Sequence, residues 1–583
     1  MNRLHKYSVA MLTTAALTTL STSCSDKFLE VQPTAVLSDA SLANREGLNL
    51  LLIGAYSMLD GVQALSSFSD WHGAADNWVY GSVTSDDAYK GSIETDQPEI
   101  TFIETRNIQA DNNHFRGKWR AMYDGIARTN DVMLMTARVN DMSDAEKTQA
   151  RAQARFLRGH YHFEAKKMWN MAPYIDETIY NPSNPNSTKV PNNENIWPKI
   201  EADLKFAYDN LPETQTQRGR ATKWAAGAML AKAMLFQNKF AEARPLLEAI
   251  VASNRYRLVD RYQDNHRIGT NNNAESIFEV QFSVNDGASI SNNGNRGATL
   301  NYPMGAGALT TCCGFFQPSQ NLVNAFKTDE NGLPLLDTFN EADVTNDQNI
   351  LSDQAFTPFA GPLDPRLDHT VGRRGIPFLD WGVHPGRNWI RNQNYAGPYS
   401  PKKHVPQRSD AAAGWTWSGN PRQNANNYRM IRLSHVLLWL AEVEVEQGNF
   451  ERARQLVNQI RRRAANPDGF LRTAAGAPAA NYVIREYPAS HPAFSNRDRA
   501  RQAVRFEQRL EFAMEGHRFF DLVRWGTVEQ TMNEYYRVEQ TKRTYLRGVT
   551  FVKGKHEYFP VPVQEIFNSK LDGKETLKQN PGY

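Results

Sequence analysis

Two distant stretches share one pattern, and that pattern restricts the fold more than any other feature. In KWAAGAMLAKAMLFQNKFAEARPLLEAI (223–250), Ala231 lies twelve residues before Ala243, across the short turn QNKF. In HVLLWLAEVEVEQGNFERARQLVNQI (435–460), Ala441 lies twelve before Ala453, across QGNF. Leu230, Leu247 and Ile250 extend the apolar face of the first, and Leu440, Val457 and Ile460 that of the second. Small residues let two antiparallel helices approach closely. This is the helix–turn–helix layout of tetratricopeptide repeats, which recur at about 34 residues and bury their apolar faces by stacking. QARFLRGHYHFEAKKMW (153–169) reads as a weaker third first-helix, with Gly159 as its small residue. The fold class is therefore mostly α, built on tetratricopeptide-like helical repeats.

Helical periodicity covers 42–60, 112–137, 144–170, 194–210, 221–253, 428–465 and 499–534. Residues 254–427 are different. They are rich in Asn, Gly and Pro (GTNNNAES, SNNGNRG, LDPRLD), with a strand expected at SIFEVQFSV. A loop-rich, partly β block of that size inside a helical protein points to function. The organisation expected is a signal peptide at 1–23, a tether at 24–41 and a helical part at 42–253 that includes a loop region at 61–111. An irregular insertion at 254–427 and a C-terminal helical part at 428–583 complete it.

The chain holds three cysteines. Cys24 follows a positive start (Arg3, Lys6), an apolar stretch from Val9 to Leu20 and the small residues Ser21, Thr22 and Ser23. That order fits a secretory signal, and the stretch is shorter than the roughly 20 residues of a membrane-spanning helix. A cysteine at this point resembles a bacterial lipobox, although Ser21 stands where the usual leucine would be. Cys24 is read as the lipidation site. Several acyl chains on one residue anchor stably where one chain alone does not.

Loss of residues 1–23 removes two cations and no acid, so the formal charge falls from +3 to +1. That balance argues against nucleic acid as a partner. Aromatic residues make up 11% of the chain, and flat rings at a surface are a common sugar-binding device. Two buried thiols are favoured over a vicinal disulfide at Cys312 and Cys313. HYHFE (160–164) is not read as a metal site, because residues i and i+2 of a helix do not share a face. No metal or cofactor is expected.

A longer series of motifs resembles the SusD/RagB family of bacterial outer-membrane nutrient-binding lipoproteins. It starts with Cys24 and FLE (28–30), then GAYSML (54–59), SDDAYKG (85–91), WRAMYDGIARTNDVM (119–133) and ARFLRGHYHF (154–163). ESIFEVQF (275–282), DPRL (364–367), YRMIRLSHVLLWLAEVEVEQG (428–448) and VNQIRRRA (457–464) follow. RLEFAMEGHRFFDLVRWG (509–526) and FPVPVQEIFNS…QNPGY (559–583) close the series. The resemblance implies a lipid-anchored protein on the outer membrane, facing the cell surface. It also implies a glycan or peptide ligand and a SusC-type TonB-dependent barrel as partner. Tethering lid and barrel to one surface raises their effective concentration.

RLEFAMEGHRFFDLVRWG offers Glu511, Glu515, His517, Arg518, Asp521 and Arg524, but no nucleophile. Glu511, Glu515, Arg518 and Arg524 are read as fold-fixing contacts, with Phe519, Phe520 and Trp525 in the core. The ligand-binding candidates are rings with neighbouring polar groups: Trp71, Trp78, Asp86 and Tyr89 in the early loop region, with Asp87, Lys90 and Tyr80 nearby. In the insertion they are Phe315, Trp381, Trp415 and Trp417, with Tyr302, Phe316 and Trp389 also considered. Rings cover sugar C–H faces while Asp, Asn, Arg and Lys bond hydroxyls. AGWTWSG places Trp415 and Trp417 on one side of any extended segment. The leading expectation is a non-enzymatic glycan-capture protein. A peptide-binding relative is the alternative, and a glycosidase, which needs two carboxylates about 5–10 Å apart, a weaker one.

Overall fold

The computed structural model describes residues 39–62, 69–287, 293–308, 310 and 312–583. Cys24, read as the lipidation site, lies outside them. Helices α1 (Arg45–Ser57), α2 (Asn113–Thr136), α3 (Asp144–Trp169), α4 (Trp197–Asn210), α5 (Lys223–Leu235) and α6 (Phe240–Ala252) pack each on the next. α7 (Leu433–Glu446), α8 (Phe450–Ala464) and α9 (Arg497–Phe512) continue the row. The hairpins α5/α6 and α7/α8 are the two stretches with the twelve-residue alanine spacing, and Ala231, Ala243, Ala441 and Ala453 are all fully buried. α6 packs directly on α7, so the insertion leaves the helical row and returns to it. Arg244 on α6 reaches Glu444 on α7 at 3.0 Å across that junction.

Local chemistry sets the helix ends. Ser143 and Glu146 form a capping box at the start of α3, and Thr222 caps α5 through the Ala225 N–H. Such caps satisfy backbone donors that a helix start leaves unpaired. The helices approach closely where glycine allows it. A Cβ on Gly159 of α3 would lie 2.9 Å from Leu204 Cγ of α4. Gly159→Val is therefore expected to cost about 1–3 kcal/mol by overpacking, read as a lower midpoint in urea unfolding.

Two helical expectations break, each for a tertiary reason. Residues 428–432 form a strand because Tyr428–Arg432 pairs antiparallel with Ser276–Val280, closing the insertion against the helices. The 499–534 periodicity is interrupted between α9 and α10 (Arg518–Arg524) by a turn in which Met514 and Gly516 take positive φ. A Cβ on Gly516 would stand 1.7 Å from the Asp76 carbonyl oxygen, so no other residue fits. α11 (Val528–Glu539) follows.

One hydrophobic core runs through the helical row. A second, small cluster of Tyr302, Phe378, Trp389 and Val405 sits inside the insertion. Among the described residues, no helix is long and apolar enough to cross a membrane.

Candidate functional site

The SDDAYKG segment is structural. Asp86 pairs with Arg518 Nε at 2.8 Å and with Arg509 at 3.1 Å, and Asp87 pairs with Arg509 at 3.0 Å. The Tyr89 hydroxyl donates to Glu539 at 2.6 Å. The Lys90 ammonium donates to the carbonyls of Ile93 and Asp96. Burial pushes the Asp86 carboxyl up, but Arg509 and Arg518 outweigh it and bring it down to about 2. The segment fastens the N-terminal part to helices more than 400 residues later.

Four candidate ligand residues are thereby corrected to interior positions. Trp78, Tyr89 and Phe315 are fully buried and Asp86 nearly so. Trp78 packs against Phe315 and Phe316 and donates its indole N–H to the Gly297 carbonyl at 3.1 Å. Tyr302, Phe316 and Trp389 are buried as well. None of these offers a ring face to a surface ligand. Trp71 is half-buried on the turn Asp70–His72, which Arg296 ties to the insertion through Asp70 at 2.8 Å.

The 509–526 stretch holds the fold as expected, with one exception. Glu511 receives Arg366 at 3.0 Å, Arg432 at 2.5 Å and also Arg463. Glu515 takes Arg432 and Lys403. Arg524 pairs with Glu442 at 2.7 Å. Phe519 and Phe520 are in the core, whereas Trp525 is only partly buried, packing on the core's edge with its N–H donated to Glu442. His160 and His162 of HYHFE are core histidines, His162 bonding the Arg158 carbonyl and the Ile175 N–H.

The remaining candidates sit on a loop-built face of the insertion. The hairpin of Thr416–Trp417 and Asn420–Asn424 stands beside the short helix Arg408–Ala412. Trp415 begins the hairpin and is 41% exposed, the most exposed described tryptophan. Its ring lies 3.3 Å from where a Gly269 Cβ would be, so that glycine leaves room for it. A register shift between Thr416 and Trp417 breaks simple alternation, and Trp417 folds over Gly419 while Thr416 is buried. Trp381 is half-buried, with its N–H on the Pro406 carbonyl and the Arg408 guanidinium 4.9 Å from its ring. Asp380 accepts from the Arg408 and Ser409 amides, which fixes the helix beside Trp381.

Beneath the hairpin, Arg422 donates to the Thr299 carbonyl and to Cys313 Sγ, and the Tyr302 hydroxyl donates to the Arg422 carbonyl. Cys312 and Cys313 are joined as a vicinal disulfide, which replaces the two thiols expected. Burial lowers Arg267, below the face, to about 10 against the pull of Asp410, Asp264 and Asp380. The face thus combines one exposed ring, two half-covered rings, exposed Val383 and the polar groups of Arg408 and Asn420. Rings beside planar donors and amides can stack on C–H surfaces and bond hydroxyls. Trp415 was legible through its Gly and Ser flanks. Arg408 and Asn420 carried no signal, since only the folded turn brings them near the rings.

A row of repeat helices carrying an aromatic loop face defines the class of protein. The SusD family model matches residues 274–583, more than half of the chain, and a second model, "Starch-binding associating with outer membrane", matches 27–235. The chain belongs to the SusD family. SusD-like protein P25 of Formosa agariphila is 22% identical over 568 residues, covering 93% of both chains. Among solved structures, a laminarin-binding SusD-like protein superposes with a TM-score of 0.64 at 22% identity, over 93% of this chain and 100% of that one. Surface glycan-binding protein A from Bacteroides thetaiotaomicron, solved with laminarihexaose, gives 0.65 at 20%, over 92% of this chain and 99% of that one.

Proposed function

We propose that this protein captures glycans at the cell surface, on the insertion face that carries Trp415, and hands them to a SusC-type TonB-dependent transporter. The observation that carries the reading is the exposed Trp415 ring, on the hairpin that packs against the short helix of Arg408, whose guanidinium lies 4.9 Å from the Trp381 ring. In this reading Cys24 is lipidated and holds the body on the outer membrane, facing outward, where the barrel lies. Binding needs no reaction: a ring covers a sugar face, polar groups select the hydroxyls, and release follows hand-over. The laminarin and laminarihexaose of the two structural neighbours support a glycan and make β-glucans the first ligands to try.

Affinity gel electrophoresis against plant, host and microbial polysaccharides tests the proposal. Retardation by at least one polysaccharide is expected. Trp415→Ala should weaken it by about 2 kcal/mol, roughly thirtyfold, as an anchoring tryptophan does. No retardation, with heat released on adding peptides in calorimetry, would assign the protein to peptide uptake instead.

A further inference from the structure

Two histidines and a glutamate converge beside the turn that carries Trp71. One ligand atom from each of His72, Glu99 and His114 lies within 4.8 Å of the others. His72 is on the turn Asp70–His72, His114 on the first turn of α2, and Glu99 on the short helix Pro98–Glu104. Several features build this convergence. Gly117, one turn beyond His114, leaves room for the His72 ring: a Cβ there would lie 2.7 Å from His72 Cβ and 2.8 Å from Nδ1. The Tyr80 hydroxyl reaches the carbonyls of both histidines, at 2.8 and 2.7 Å. The two imidazoles lie 4.2 Å apart, centre to centre. Asn113 donates to Glu99 Oε1 at 3.1 Å and Asn112 to the Glu99 carbonyl at 3.0 Å, which holds the acid beside the helix.

His114 is fully buried, yet neither of its ring nitrogens has a hydrogen-bond partner among the described residues. Leaving a buried polar group unpaired is costly, so the ring calls for a partner. We propose that His72, Glu99 and His114 bind a divalent transition-metal ion of the zinc class. Two imidazoles and a carboxylate are a donor set that suits zinc. Ligand atoms around tetrahedral zinc stand about 3.3–3.6 Å apart, so the triad must draw in. Glu99 is half-exposed and can rotate to do this, leaving the fourth position to solvent. The Asn113 contact then acts as an orienting outer partner for the carboxylate. The ion would pin the Trp71 turn to α2.

The other such group among the described residues, His435, Glu515 and His517, is a poor competitor. Glu515 is engaged by Arg432 and Lys403, the two imidazoles bond each other at 3.3 Å, and His435 Nδ1 accepts from the Arg432 amide.

The test is titration of the purified full-length protein, stripped with a chelator, with cobalt(II) as a visible probe, followed by zinc displacement. One equivalent with tetrahedral d–d absorption is expected, displaced by zinc. Glu99→Gln should abolish the band or weaken binding, and His114→Gln should abolish it, with unchanged far-ultraviolet dichroism for Glu99→Gln. Should His114→Gln not fold, Glu99→Gln alone decides. No band and no zinc-induced rise in melting temperature in the wild type would overturn the proposal. A band that survives in folded Glu99→Gln at full affinity would overturn it equally, placing the ion elsewhere.

Discussion

Replacing Glu511 with glutamine is expected to destabilise the protein by about 3–5 kcal/mol, the cost of breaking a buried ion pair by removing one partner. Glu511 is fully buried and takes three guanidiniums, those of Arg366, Arg432 and Arg463. Arg366 also pairs with Asp364 and Glu507, each at 2.7 Å. Arg432 and Arg463 share Glu275, and Arg461 pairs with Glu507 at 2.9 Å. The acids and bases of this cluster come from the insertion, α7's entry strand, α8 and α9. Glutamine keeps the shape but leaves buried cations short of one anion. Chemical unfolding of wild type and Glu511→Gln measures the difference; a loss below about 1 kcal/mol would show that the cluster relaxes around the change.

The same cluster sets the acid behaviour. Burial pushes the Glu511 carboxyl up, but Arg463, Arg432 and Arg366 more than reverse this and hold it well below the usual carboxylate range. A carboxylate with a depressed folded value contributes stability above its unfolded value, about 4.3, and loses it as pH falls through the folded one. Asp86, brought to about 2, acts in the same direction. The melting temperature should therefore fall from about pH 4 down to pH 2, and Glu511→Gln should flatten that fall.

The second large effect is expected at Trp78. Trp78→Ala removes a fully buried indole between Phe315 and Phe316 and leaves the Gly297 carbonyl without its donor. Large-to-small changes of this kind cost about 3–5 kcal/mol. The unfolding midpoint should drop accordingly, while protein that remains folded keeps its glycan affinity. Loss of affinity without loss of stability would return Trp78 to the ligand surface.

Trp78 also shows where sequence reading stops. The repeats were legible because Ala231 and Ala243, or Ala441 and Ala453, meet across one short turn, and that contact is local. The fold-fixing role of Glu511 and Arg524 was legible from a charged signature with no nucleophile, together with a family resemblance that implies binding. Asp86 and Tyr89 were expected at the ligand face because the family resemblance draws that face from this early loop, where rings stand beside polar groups. What buries them, Arg509, Arg518 and Glu539, lies more than 400 residues further along. No local pattern announces such pairs. The rings of the insertion divide in the same way: Trp389 and Phe315 face cores assembled from distant loops, whereas Trp415, in the stretch bounded by Gly414 and Ser418, stays outside. His72, Glu99 and His114 are spread over about 40 residues at no metal-binding spacing, so only the folded turn joins them.

The central claim is that Trp415 anchors a glycan. Calorimetric titration of wild type and Trp415→Ala with laminarihexaose, or with whichever glycan the gels identify, tests it most directly. The account predicts one-site binding by the wild type and a roughly thirtyfold loss in Trp415→Ala, with the melting temperature unchanged. Equal affinity in both proteins would contradict it and move the ligand off this face.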